Sequence, residues 1–144
     1  MSKEKESRVF GEPIDAQEGR VVILSDDEQT GPKSVEGVLD LINLGREIGL
    51  DSENPRPTLK VADLENEELL FVAAPKVLLN KYKQIQAKVK DDAICFVRID
   101  YKGLEKSKDG LRKYHNYEVR LGSPCTDSER AAAIGLLGGE ILGS

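Results

Sequence analysis

The run Ala93-Ile-Cys-Phe-Val-Arg-Ile-Asp-Tyr101 and the run Lys113-Tyr-His-Asn-Tyr-Glu-Val-Arg-Leu121 decide the fold of this chain. The first is rich in β-branched residues and the second alternates polar and apolar side chains, so each predicts a strand. Between them lies Lys102-Gly-Leu-Glu-Lys-Ser-Lys-Asp-Gly-Leu-Arg112, which contains Asp-Gly, a dipeptide typical of tight turns between strands. The sequence therefore predicts a β-hairpin over residues 93–121.

A second hairpin and a helix are predicted immediately upstream. Thr58–Asp63 and Glu68–Ala73 are short strand-like runs separated by a polar turn. Pro75 then suits the first turn of a helix. The predicted helix has an apolar face made of Val77, Leu78, Tyr82, Ile85 and Val89.

The flanks carry weaker signals. Arg20–Ser25 is a short β-branched run and predicts the first strand. Ser34 is a suitable helix cap, and apolar residues recur at helical spacing after it, which predicts an inserted helix over about 34–48 that Gly49 ends. Near the C-terminus, Thr126-Asp-Ser-Glu129 matches a capping box and predicts a short helix.

The predicted fold class is β-rich α+β. Without the insertion, the order strand, strand, strand, helix, strand, strand is that of the OB-fold, a five-stranded partly open barrel. We therefore expect an OB-like barrel with a helix between strands 3 and 4, a helical insertion between strands 1 and 2, and a short C-terminal helix; a generic α+β sandwich is the alternative. The expected organisation is a polar N-terminal arm (1–18), an OB-like domain (19–122) and a C-terminal helical tail (123–144).

Composition limits the class of protein. The chain has 144 residues, of which 39% are hydrophobic and 33% charged, as expected of one globular domain. Two distant cysteines, Cys95 and Cys125, and a single histidine support neither a zinc cluster nor a disulfide framework. No apolar run approaches the roughly 20 residues that span a bilayer, and no signal peptide is recognised. We expect a cytoplasmic protein with no membrane partner.

The net charge of −5 is unevenly distributed along the chain. Residues 1–57 hold 13 acidic and seven basic side chains, a net of −6, whereas residues 76–120 hold 12 basic and six acidic, a net of +6. Exposed charges farther apart than a Debye length, about 8 to 10 Å, are largely screened from each other. The basic segment is therefore able to bind a polyanion although the protein is acidic.

The predicted hairpin combines cations with aromatic rings, the two components that single-stranded nucleic acid needs for its phosphates and bases. Alternation predicts that Ala93, Cys95, Val97 and Ile99 face the core and that Ile94, Phe96, Arg98 and Asp100 face outward. The candidate nucleic-acid-binding residues are Phe96, Arg98, Tyr101, Lys102, Lys106, Lys108, Arg112, Lys113, Tyr114 and Arg120. The alternatives are that the lysines only confer solubility, that Phe96 packs beneath a helix and that His115 is an inward structural residue.

The stretch Ile99–Val119, with Tyr-Lys-Gly, Lys-Ser-Lys-Asp-Gly and Tyr-His-Asn-Tyr-Glu-Val, resembles the closing hairpin of small OB-like proteins of tailed bacteriophages. The resemblance covers residues 58–121, and some proteins of that kind bind single-stranded DNA. It implies a DNA-binding protein in the cytoplasm of a host cell. The acidic first half and the apolar run Ala131–Leu142 depart from the pattern, so a partner-recruiting acidic tip is not implied.

Signatures of catalysis are missing from the sequence. There is no nucleophile motif, no Gly-rich phosphate loop and no cluster of metal ligands, so no catalytic residue, metal or cofactor is predicted. The acidic run Asp26-Asp27-Glu28 is interpreted as a solvated turn. The alternative function is structural: a phage virion, decoration or adaptor protein that uses the same barrel for contacts with other phage proteins or with itself.

Overall fold

The computed structural model describes residues 19–27, 29–49, 55–89 and 92–138. The predicted N-terminal arm (1–18), Glu28 of the acidic turn and residues 139–144 of the predicted tail lie outside the described residues. The elements are β1 (Arg20–Val22), β2 (Ser34–Ile48), β3 (Arg56–Asp63), β4 (Glu68–Ala73), α1 (Lys76–Lys88), β5 (Ile94–Lys106), β6 (Lys113–Leu121) and α2 (Asp127–Leu137). Over this part of the chain, neither helix has the length and hydropathy needed to cross a membrane.

The strands form one mixed sheet in the order β1-β4-β3-β2-β5-β6. The short β1 runs parallel to β4, and every other neighbouring pair is antiparallel. The β-rich class is confirmed, as are both hairpins, the helix between them and the C-terminal helix. The sheet is open, with β1 and β6 at its edges among the described residues, so the predicted five-stranded barrel is corrected to a six-stranded open sheet.

The predicted helix at residues 34–48 is wrong, because this segment is the 15-residue strand β2. It pairs with β3 on one side and β5 on the other, and its residues from Gly37 to Leu41 are buried on both faces of the sheet. Apolar residues in such a strand need not alternate, and the spacing of Val35, Val38 and Ile42 then resembles that of a helix.

A bulge bends β2 in its middle. The pairing with β3 shifts register between Leu39 and Leu44, and the Asp40 carboxylate accepts the backbone N–H groups of Ile42 and Asn43 at 2.8 and 2.9 Å. Asp40 therefore accepts hydrogen bonds from backbone N–H groups that do not pair with a neighbouring strand at the bulge. The bend allows the same strand to pair with both β3 and β5.

The main core lies on what we call the inner face of the sheet, the face that carries Leu39, Val61 and Val97. Helix α1 packs there through Leu78, Tyr82 and Ile85, as its apolar face predicted. The Tyr82 hydroxyl donates to the backbone oxygen of Asp40 at 2.9 Å, which ties the helix to the bulge of β2. Burial is the main reason that the pKa of Tyr82 rises to about 12.

A second, smaller core lies on the opposite, outer face. Helix α2 places Ala133 and Leu137 against Val38, Phe71 and other apolar side chains of the sheet. Ile94 is 1% exposed in this core, so its predicted outward orientation holds but its exposure to solvent does not. Sequence alternation could not show that a helix from the end of the chain returns to cover this face.

Candidate nucleic-acid interface

The hairpin β5–β6 extends beyond the body of the protein as a two-stranded ribbon. Its last buried pair is Tyr101 opposite Tyr117, and both strands continue past that pair to Lys106 opposite Lys113. At about 3.3 Å per residue the ribbon extends roughly 15 Å beyond the pair. A register shift between Tyr101 and Gly103 marks its base, where Gly103 has φ 89°, a conformation that favours glycine.

The turn at the end of the ribbon is held by local hydrogen bonds. We call residues 106–113 the hairpin tip. The Ser107 N–H donates to the Arg112 oxygen at 2.8 Å, and the Leu111 N–H donates to the Asp109 carboxylate at 3.0 Å. The Ser107 hydroxyl, followed by the Leu111 N–H, lowers the pKa of Asp109. Gly110 adopts φ 73°, as the predicted Asp-Gly turn requires.

Four of the predicted cations surround this tip and are exposed. They are Lys106, Lys108, Arg112 and Lys113. None of them forms an ion pair with another described residue. Because no carboxylate in the described part of the chain pairs with them, an incoming phosphate does not have to displace a partner there.

The other three predicted cations are already paired. Arg98 lies 3.5 Å from Glu36 and 3.2 Å from Asp100, and Glu118 pairs with Lys102 at 3.5 Å and with Arg120 at 2.8 Å. These six residues form what we call the outer-face ion-pair cluster. It contains three cations and three carboxylates, so its formal charge is zero. A phosphate therefore gains less binding free energy from Arg98, Lys102 and Arg120 than from the cations of the tip.

The two tyrosines among the candidate nucleic-acid-binding residues differ in environment. Tyr114 lies on the outer face of the ribbon and is 37% exposed. Tyr101 is 6% exposed, packs with its ring centroid 5.4 Å from that of Tyr117 and bonds through its hydroxyl to Nδ1 of His115 at 2.7 Å. Tyr101, predicted among the nucleic-acid-binding residues, therefore has its ring in the core, where it contacts Tyr117 and His115 and offers no exposed stacking surface.

Phe96 is half-buried against the second core, at the wall of a groove of about 390 Å³. Arg98 lines the same groove, together with Arg20 of β1, Pro32 and Ser34 before and at the start of β2, and Asn66 of the β3–β4 turn. Arg20 is itself paired with Glu68 at 2.7 Å. The groove is thus a second surface beside the ribbon, with mixed charge and one aromatic wall.

Cys95 and Cys125 are free thiols, as predicted. Burial, helped by the nearby Asp92 carboxylate, raises the pKa of Cys95 to about 12, and burial also raises the pKa of Cys125. Both thiols are therefore protonated at neutral pH. This is the environment of structural cysteines and not of reactive ones.

Sequence reasoning missed the apolar part of the ribbon. Leu111 is 82% exposed at the tip, and Leu104 is 58% exposed on the inner face of the ribbon. Leu111 directly follows the Asp-Gly turn, so its position at the apex could have been predicted from the sequence. The exposure of Leu104 could not have been predicted from the sequence, because it depends on where the ribbon leaves the body of the protein.

Comparisons of the chain with protein-family models, with curated proteins and with solved structures find no match. The resemblance to phage proteins therefore stays a prediction.

Proposed function

We propose that this chain is a non-enzymatic single-stranded DNA-binding protein with an OB-like fold, of bacteriophage origin, that binds through the hairpin tip. The observation that carries the proposal is the set of four exposed cations beside Tyr114 on a preorganised ribbon, none of which pairs with a carboxylate of the described residues. Such an arrangement offers phosphates a basic track and offers a base an aromatic surface.

The strand connections are compatible with the OB-like part of the proposal. The long β2 lies between β3 and β5, α1 joins β4 to β5, and the ribbon is the hairpin between the last two strands. In OB-folds the loop between the last two strands is one of those that contact oligonucleotides. The hairpin tip occupies the equivalent position in this chain order.

A titration with a fluorescent single-stranded oligonucleotide tests the proposal. Each phosphate neutralised on a single strand contributes about −0.7 to the slope of log affinity against log salt, so four tip cations predict a slope of about −3. Lys106→Glu with Lys108→Glu should weaken binding to every sequence. The matched control is Lys76→Glu with Lys83→Glu, which makes the same charge change on exposed positions of α1.

The aromatic contribution is read in the same titration. Tyr114→Ala should cost about 1 to 3 kcal/mol of binding free energy, whereas Tyr114→Phe should retain most of it because the ring is preserved. Absence of binding at low salt would contradict the proposal. Equal losses from the tip and α1 charge reversals would contradict the assignment to the tip.

A structural or assembly role is the second candidate, and a different surface favours it. The outward side of α2 forms a shallow apolar groove. Ala131, Ile134 and Gly135 line it together with Asp127 and Arg130. An apolar groove of this kind suits contact with another protein chain. Light scattering and analysis of purified phage particles test this role; a strict monomer that is absent from particles would argue against it.

A further inference from the structure

Leu111 is the most exposed large hydrophobic residue in the described part of the chain, at 82%. Its position is not a consequence of a loose loop. The backbone on either side is fixed by the bond from its own N–H to Asp109 and by the bonds of Arg112 to Ser107. The ribbon therefore presents one apolar side chain at its apex on a backbone held by hydrogen bonds.

The surroundings of Leu111 select the chemistry of its partner. Lys108 and Arg112 lie on either side of it in sequence, and Lys106 and Lys113 form the last pair of the ribbon below it. The cations attract a polyanion, but a leucine gains nothing from a phosphate. Its ligand must offer an apolar surface within a field of negative charge, which is what the faces of nucleic-acid bases provide where they are unstacked.

The shape of the ribbon suits such a ligand. A two-stranded β-ribbon is narrow enough to enter a groove of duplex DNA. Proteins that bend DNA commonly insert a leucine or another apolar side chain between base pairs and partly unstack them. The required parts are a projecting basic element and an apolar residue at its end, and both are present here.

We infer that Leu111 is a wedge that enters an opened base step, so that the ribbon prefers DNA with a gap or a junction between single and double strand. This inference rests on the proposed function and narrows its substrate class. Unstacking a base step costs a few kcal/mol. A ligand in which the step is already open is spared that cost and binds more tightly.

The test compares three labelled ligands at one salt concentration: an intact duplex, the same duplex with a single-nucleotide gap, and the single strand. The wild-type protein should bind the gapped duplex at least about tenfold more tightly than the intact one, since part of the unstacking cost is absent. Leu111→Ser should lose this preference while its salt dependence is unchanged, because the cations remain.

Leu104→Ser is the matched control. Leu104 is also exposed and lies on the same ribbon, but it faces His115 across the strands and not the apex. This variant should keep the gap preference. A 2-aminopurine placed beside the gap should brighten with the wild-type protein and with Leu104→Ser, and stay dim with Leu111→Ser, because only an inserted side chain separates the fluorescent base from its neighbour.

Three outcomes would overturn the wedge. The first is equal affinity of the wild-type protein for the gapped and the intact duplex, and the second is an unchanged preference for the gap in Leu111→Ser. The third is that Leu111→Ser loses binding to phosphatidylserine vesicles while its DNA binding is unaffected, which would assign the leucine to a lipid surface. Each leaves single-strand binding by the cations intact. Failure of the proposed function itself is distinct, because no ligand would then bind at low salt.

Discussion

Lys60 and Asp40 meet in the interior, where their side chains are 3% and 0% exposed. The Lys60 ammonium lies 3.6 Å from the Asp40 carboxylate and donates to the backbone oxygen of Leu137, at the end of α2, at 2.7 Å. One carboxylate oxygen of Asp40 accepts from the bulge of β2, while the other has no hydrogen-bond partner among the described residues. The pair thus links the bulge, the central strand β3 and the end of α2.

Removal of the ammonium should be costly at this position. Lys60→Met keeps the apolar stem but leaves Asp40 buried without its partner and Leu137 without a donor, so we expect a loss of about 3 to 5 kcal/mol in the free energy of unfolding. Urea denaturation measures it. Adding Asp40→Asn should recover part of the loss, because the amide oxygen still accepts at the bulge and no charge stays buried. A loss below about 1 kcal/mol for Lys60→Met would show that the pair behaves like a surface ion pair.

At the scale of elements, α2 begins with both halves of a capping box. The Thr126 hydroxyl accepts the Glu129 N–H at 3.2 Å, and the Glu129 carboxylate accepts the Thr126 N–H at 2.9 Å. Arg130 in the next position binds Asp92 with two contacts, at 2.8 and 3.0 Å. Burial is the largest single influence on the pKa of Asp92 and raises it, but the hydrogen bonds from Arg130 and from backbone N–H groups together lower this pKa below its ordinary value. The start of α2 is therefore tied to the segment that precedes β5.

Loss of the cap should weaken α2. Thr126→Ala removes the acceptor for the Glu129 N–H, and we expect it to lower the free energy of unfolding by about 1 kcal/mol. Ser128→Ala is the control, since Ser128 is exposed in the first turn of the same helix. Thermal denaturation followed by circular dichroism measures both. An equal effect of the two substitutions would mean that the capping bond contributes nothing measurable.

The elements also show where local sequence was sufficient. Asp109-Gly110, the alternation of residues 113–121 and the capping box at Thr126 are each local signals, and each predicted its element. The prediction of a helix at 34–48 was wrong because local sequence was not sufficient there. The state of β2 depends on the two strands that pair with its edges and on the two helices that cover its faces. An apolar periodicity read along one segment contains no information about those neighbours.

At the scale of the whole molecule, two cores of unequal size share one sheet. Helix α1 and the inner face form the larger core, while α2 contributes only Ala133 and Leu137 as fully buried side chains to the smaller one. Segments with few buried apolar contacts open at a lower free energy than the rest of a protein. We therefore expect α2 to be the first of these elements to open.

Native-state hydrogen exchange tests this order. Amides of α2 should exchange faster than those of β2 and β5. Leu137→Ala should accelerate exchange in α2 further, since truncating a buried leucine typically costs about 2 to 5 kcal/mol. Its effect on β5 should be smaller. Exchange of α2 and β5 at one common rate in the wild-type protein would instead indicate a single cooperative unit.

The candidate site, like the fold, was predicted correctly only in those features that local sequence determines. The ten predicted residues came from local composition, and four cations and Tyr114 meet at the tip as expected. Which cations are free could not be predicted. Arg98 is neutralised partly by Glu36, a residue of a strand that was expected to be a helix, and the burial of Tyr101 depends on its packing against Tyr117 across the hairpin.

The sequence by itself determined the hairpin, α1, α2 and the basic character of the ribbon, because turn chemistry, capping and charge act between near neighbours in the chain. Tertiary structure alone decided that residues 34–48 are a strand, that the sheet stays open and that α2 covers its outer face. It also decided which cations of the hairpin are paired with carboxylates and that Leu104 is exposed. Burial and ion pairing depend on segments far apart in the chain, and only the folded arrangement brings those segments together.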